Sequence, residues 1–99
     1  MIIMKQLSFE WDENKNLSNV KKHGISFMEA ATVFFDELAI VFDDPEHSFQ
    51  EDRFLIIGSS SYGKLCVVIH CERSENVIRI ISARKASKAE AKIYQKHMI

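Results

Sequence analysis

Polar and charged side chains interrupt two apolar runs in the last third of the chain. His70, Glu72 and Arg73 interrupt or follow the run Leu65 to Cys71, and Arg79 stands among Val77, Ile78, Ile80 and Ile81, ahead of Ser82 and Arg84. An arginine so flanked is costly to bury unless it is paired or projects from an open face. Arg79 is therefore the most informative single residue, either as one half of an ion pair with Glu72, Glu75 or an acid of the central segment, or as part of a binding surface. Arg79, Arg84, Lys85, Lys88 and Tyr94 all fall at the end of the last strand-like run and the helix-like segment after it. Such a grouping suits a phosphate, with the amides of a helix capped at Ser87 adding donors. Metal-free RNA cleavage needs a base near the 2′-hydroxyl, cations for the pentacovalent phosphate and an acid for the leaving oxygen. His70, Glu72, Tyr94 and the arginines supply each type. The same residues also have plainer readings: His70 as a satisfied core histidine, His23 as a helix-terminal cation, and Tyr94 as a packing residue with a wet hydroxyl.

These residues need elements to position them. Lys5 to Leu7 and the alternation Ser8-Phe9-Glu10-Trp11 predict a short first strand. Asp12 caps a helix from Asp12 to His23, with Leu17 and Val20 on its buried face, Lys21, Lys22 and His23 in its last turn, and Gly24 as its left-handed stop. Ser26-Phe27-Met28-Glu29 reads as a capping box, followed by a core-facing stripe of Phe27, Ala30, Ala31, Phe34 and Leu38. Ala39 to Phe42 reads as a strand ending in the turn Asp43-Asp44-Pro45-Glu46. Arg53 to Gly58, Leu65 to Cys71 and Val77 to Ala83, joined by short polar turns, form an antiparallel meander. A second capping box, Ser87-Lys88-Ala89-Glu90, opens a terminal helix toward His97. The order β-α-α-β-β-β-β-α gives an α+β domain, an antiparallel sheet with helices packed on one face and the other partly open. Simple alternation places Cys66, Val68, His70 and Glu72 on one strand face and Val67, Ile69, Cys71 and Arg73 on the other. In the last strand it separates Ile78, Ile80, Ser82 and Arg84 from Val77, Arg79 and Ile81.

Ninety-nine residues fit one domain, and 46% hydrophobic with 27% charged residues is close to the globular average. The net charge of −1 argues against a chain that coats nucleic acid over its whole surface. It conceals a strong polarity, because Asp36 to Arg53 carries a balance of −6 and Arg79 to Ile99 one of +5. A polarised chain can present a local anion site, or simply a solvated basic helix beside an acidic loop. The N-terminal apolar stretch is interrupted at Lys5, and no apolar run approaches the ~18 residues of a membrane span, so a soluble, cytoplasmic protein is expected. Cys66 and Cys71 lie five residues apart in one strand, ~16 Å along it and on opposite faces, so they do not bridge. Neither the cysteines nor His23, His47, His70 and His97 show metal-ligand spacing, and no metal or other cofactor is expected.

Several short motifs recur in a characteristic order. Phe9-Glu10-Trp11-Asp12, Lys15-Asn16 and Asn19, Lys22-His23-Gly24-Ile25, Phe27 with Glu29-Ala30, Glu51 with Arg53, Arg79-Ile80-Ile81-Ser82-Ala83-Arg84, then Glu90 and Tyr94 together resemble the BrnT family of bacterial toxins. The resemblance runs from about Phe9 to Tyr94. It implies a RelE-like ribonuclease fold and a metal-independent endoribonuclease that inhibits translation. It also implies a hetero-oligomer with a BrnA-like antitoxin, a ribbon-helix-helix DNA-binding protein that represses the shared operon. Carried over by residue, it places Arg79 and Arg84 in the RNA-cleaving surface, with Arg73 beside them and Tyr94 facing them. His70 and Glu72 complete the expected catalytic set, and Lys85, Lys88, Lys22 and Arg53 the expected RNA-binding set. A binding module that docks an acidic partner or nucleic acid without cutting it is the competing reading.

Overall fold

The computed structural model describes residues 6–44, 46 and 52–98. The expectations that touch Lys5, Pro45, His47 and Glu51 lie outside the described residues. The elements run β1 (Ser8–Glu10), α1 (Glu13–His23), α2 (Phe27–Thr32), a 3-10 turn (Val33–Phe35), β2 (Ile40–Asp43), β3 (Phe54–Ser59), β4 (Leu65–Ser74), β5 (Val77–Lys85) and α3 (Lys88–His97). One five-stranded sheet has the order β1-β5-β4-β3-β2. The meander is antiparallel throughout, and β1 joins its far edge in parallel, with Glu10 opposite Arg79. The Glu75-Asn76 turn that joins β4 to β5 uses Asn76 at φ +65°, and its carbonyl accepts from the Ser8 amide, which starts β1.

α1 forms where the caps demand it. The Asp12 carboxylate accepts from the amides of Asn14 and Lys15, and Gly24 closes the other end at φ +72°. Its buried face differs from the expected one: Leu17 is 61% and Val20 41% exposed, while Asn19 is 6% exposed. The reason is hydrogen bonding. Asn19 donates to the carbonyls of Ile25 and Ala83 and accepts from the Ala83 amide, and Asn16 accepts from the Phe27 amide. The helix thus docks on the free edge of β5 through amide side chains instead of an apolar stripe.

α2 is also shorter than its stripe suggested. It gives way to the 3-10 turn after Thr32, so Phe27, Ala30 and Val33 reach the core and Leu38 lies 40% exposed. Only half of the first capping box is made: Ser26 accepts from the Glu29 amide, but the Glu29 carboxylate turns inward to accept from the Ser60 hydroxyl at 2.8 Å, with Lys64 at 3.9 Å. Gly58 permits this close packing, because a Cβ there would lie 2.9 Å from Val33 Cγ1 and 3.0 Å from Ala39 Cβ.

Ile25, Phe27, Ala30 and Val33 pack on Ile56, Cys66, Val68, Ile78, Ile80 and Ala83, forming the main core on the sheet face that α2 covers. The terminal helix goes to the other face, where Tyr94 packs with Ile57, Val67, Leu55, Leu65 and Ile69. Its start is held by the complete second capping box between Ser87 and Glu90. The remainder of that face is the open surface on which a site can form. Cys66 and Cys71 are both buried and form no disulfide. Among the described residues no helix is long and apolar enough to cross a membrane.

Candidate functional site

The register of β4 and β5 decides which charged residues share a face. Arg84 lies opposite Val67 and Arg79 opposite Cys71, four residues apart on β4 but five apart on β5. The extra residue is accommodated at a β-bulge, where Ile69 pairs with Ser82 and His70 with Ile80, leaving Ile81 between them. Directly paired residues project to the same side, so Arg79, Ser82 and Arg84 all project from the open face. Simple alternation had separated Arg79 from Arg84, and the bulge reunites them.

A hollow of about 280 Å³ lies on this face, lined by Asp44, Glu46, Arg53, Arg84 and Ser82 over an apolar floor of Leu55, Ile69 and Ile81. β3 and β2 bring Arg53 and Asp44 together, the Asp44 amide donating to the Arg53 carbonyl. Arg84 is oriented by Glu90, through Nη1 to Oε1 at 2.7 Å and Nη2 to Oε2 at 2.9 Å. That pairing raises the Arg84 pKa, and the arginine in turn holds the Glu90 carboxyl down at about 2. Arg84 is therefore oriented and charged at the hollow's wall. Two arginines and two carboxylates around an apolar floor can hold a phosphodiester and move a proton.

The other expected site residues are distributed elsewhere. Arg79, 33% exposed, lies 3.8 Å from Glu10, and Arg73 Nε lies 3.4 Å from the same carboxylate. Among the described residues the partner of Arg79 thus comes from β1 and not from Glu72, Glu75 or the central acids, because the parallel pairing of β1 sets Glu10 beside it. Glu72 lies opposite Ile78, which places it on the other face. His70 is 4% exposed in the core, its ring edge-on to Phe34 at 4.7 Å and 6.0 Å from Phe54. Burial lowers its pKa against the opposing pull of the Val68 carbonyl and Glu72. The structure thus removes His70 and Glu72 from the open face.

Tyr94 is 8% exposed and donates to Asp36 Oδ2 at 2.6 Å. Burial, and then Asp36, push its pKa up to about 12. Its hydroxyl fastens α3 to the loop before β2. Lys85 and Lys88 are exposed near the junction of β5 and α3, and Lys22 lies on α1. In sequence the hollow's carboxylates, Asp44 and Glu46, read only as turn residues of the acidic segment. The signal available was their place just ahead of Arg53, across a hairpin that folds acid and base together.

The sequence profile of the ribonuclease toxin BrnT of type II toxin–antitoxin systems matches residues 11–90. The chain belongs to the BrnT family. No curated protein sequence matches this BrnT-family chain. Among solved structures it is similar to the 1.1 Å crystal structure of the Brucella abortus ribonuclease toxin BrnT, at 27% identity and a TM-score of 0.64, covering 84% of this chain and 100% of that one. The α+β architecture deduced from the element order is therefore shared with a BrnT toxin of known structure. Family membership makes the chain a ribonuclease-toxin homologue with an antitoxin as the implied partner.

Proposed function

We propose that this BrnT-family protein is a single-domain endoribonuclease, residues 1–99, that cuts RNA without a metal ion and thereby slows translation in the cytoplasm. The observation that carries the proposal is the open-face hollow, in which Arg53 and Arg84 flank Asp44 and Glu46. In this reading the exposed Glu46 takes the proton from a 2′-hydroxyl whose oxygen attacks phosphorus. Arg53 and Arg84 stabilise the added negative charge, and the P–O5′ bond breaks, with a water proton completing the 5′-hydroxyl and a 2′,3′-cyclic phosphate left behind. Arg79 and Arg73 extend the cationic surface along the same face, and Lys85 and Lys88 hold flanking phosphates. A BrnA-like ribbon-helix-helix antitoxin neutralises the toxin in a hetero-oligomer, and covering the hollow is enough to do so.

Purified protein incubated with RNA in excess chelator is expected to cut it. Arg53→Ala and Arg84→Ala are each expected to slow cutting by about 10²–10³-fold, the effect of losing a transition-state donor worth ~2.7–4 kcal/mol. Arg84→Ala also frees Glu90, so Arg84→Lys and a thermal melt separate lost chemistry from lost folding. Undiminished cutting by the double Arg53→Ala, Arg84→Ala protein would remove the hollow from consideration. The competing reading, binding without cleavage, draws on the two hydrogen bonds that tie Arg84 to Glu90. It predicts retained RNA, and no growth arrest on expression.

A further inference from the structure

The hollow of the open face ends at Ile81 and Ser82, and the same two residues line a second hollow of about 320 Å³ toward α1. The two depressions meet at the β-bulge. Their charges differ sharply. Among the described residues, the first sets two carboxylates against two arginines, whereas the second is lined by Lys15, Lys22 and His23 with Ser18 and no acid. A polyanion gains little net attraction from the first and more from the second. The α1 groove exists because β1 pairs only with Val77–Arg79, so that beyond Arg79 the edge of β5 has α1 beside it in place of a strand. Asn19 bridges to Ala83 at the groove's base and fixes the helix there. Lys15, Ser18 and Lys22 are spaced by three and four residues, which aligns them on one side of α1.

We infer that the α1 groove is a substrate-holding subsite for single-stranded RNA, whose backbone leaves the reactive hollow over the Ile81–Ser82 bulge. Lys15 and Lys22 bind the phosphates next along the strand, assisted by the Ser18 hydroxyl and the His23 ring. The inference rests on the RNA-cleaving reading and adds to it a division of labour: chemistry on the open face, grip on the helix side. It also gives Lys22, which lines the α1 groove and not the hollow, a defined role.

The test is binding of a fluorescent oligoribonucleotide carrying 2′-O-methyl groups at every sugar, which removes the attacking hydroxyl and keeps binding separate from cutting. Affinity is measured against salt for the full chain, for Lys15→Gln/Lys22→Gln and for Ser18→Glu. With a slope of about 0.7 per phosphate neutralised on a single strand, the lysine pair is expected to flatten the plot of log affinity against log salt by about 1.4, and to weaken binding roughly tenfold at low salt. Ser18→Glu, a change at an exposed helix position, weakens binding in the same direction and serves if the lysine variant melts early. Wild-type affinity and slope in the variants overturn the subsite, as does failure of the unaltered chain to bind this oligonucleotide. A chain that binds it through the groove yet cuts no unmodified RNA instead sinks the endoribonuclease reading and leaves the groove standing.

Discussion

His70 sits between Phe34 and Phe54 with Nδ1 3.3 Å from the Val68 carbonyl, an arrangement that suits a neutral ring donating one hydrogen bond. Its pKa is lowered by burial, so the folded state disfavours the proton that the unfolded chain accepts at about 6.5. The stability this contributes is fully present above about 6.5 and is lost as pH falls toward the lower folded value. Denaturant melts of the wild type are expected to weaken as pH falls below about 6.5, and His70→Leu to flatten that dependence while RNA cleavage survives. Loss of cleavage in a stably folded His70→Leu protein would return His70 to the chemistry. The types of residue needed for phosphate chemistry were legible in sequence, but their company was not. His70 and Tyr94 read in sequence as a base and an acid, whereas the fold buries both and bonds the Tyr94 hydroxyl to Asp36 at 2.6 Å.

At the scale of elements, the capped ends were the most legible features, because Asp12, Ser26, Ser87 and Gly24 act through hydrogen bonds or backbone conformation only a few residues away. The buried faces were less so. α1 looked amphipathic through Leu17 and Val20, yet it docks through Asn19, whose amide satisfies the Ala83 amide and carbonyl as a neighbouring strand would. No local periodicity reveals a contact made across 64 residues of chain. Asn19→Ala leaves buried groups of Ala83 and Ile25 without that partner and is expected to cost ~2–4 kcal/mol, measured by denaturant unfolding. A loss below about 0.5 kcal/mol would mean that α1 is held on β5 by other contacts. The bulge in β5 belongs to the same class of feature. One extra residue reverses the facing of everything beyond it, and a reading by alternation cannot see it.

Across the whole molecule, the polarity of the charge resolves into opposed walls of one hollow, with Asp44 and Glu46 from the acidic segment facing Arg84 from the basic one. Two further carboxylates tie the C-terminal helix to the sheet. Glu90 is held at about 2 chiefly by Arg84; burial raises Asp36, but bonds from the Ser59 amide, the Tyr94 hydroxyl and the Leu38 amide outweigh it and lower its pKa. Depressed carboxyl pKa values give stability that is present above the unfolded value of about 4 and lost as pH falls toward about 2. Stability measured from pH 5 to 2.5 is expected to fall less steeply in Glu90→Gln, which starts about 1 kcal/mol lower because Arg84 is partly solvent-screened. An identical acid profile in wild type and variant would contradict the pairing. The sequence by itself determined the elements, their order, the capped helix starts, the polarity of charge and, through its ordered motifs, the family, since these depend on local chemistry or on residue identity. Tertiary structure alone decided that β1 runs parallel to β5 and gives Arg79 its carboxylate, that the bulge turns Arg84 to the open face, and that His70 is core. Those outcomes depend on register and burial, which are fixed only when residues distant in the chain compete for the same space and hydrogen bonds.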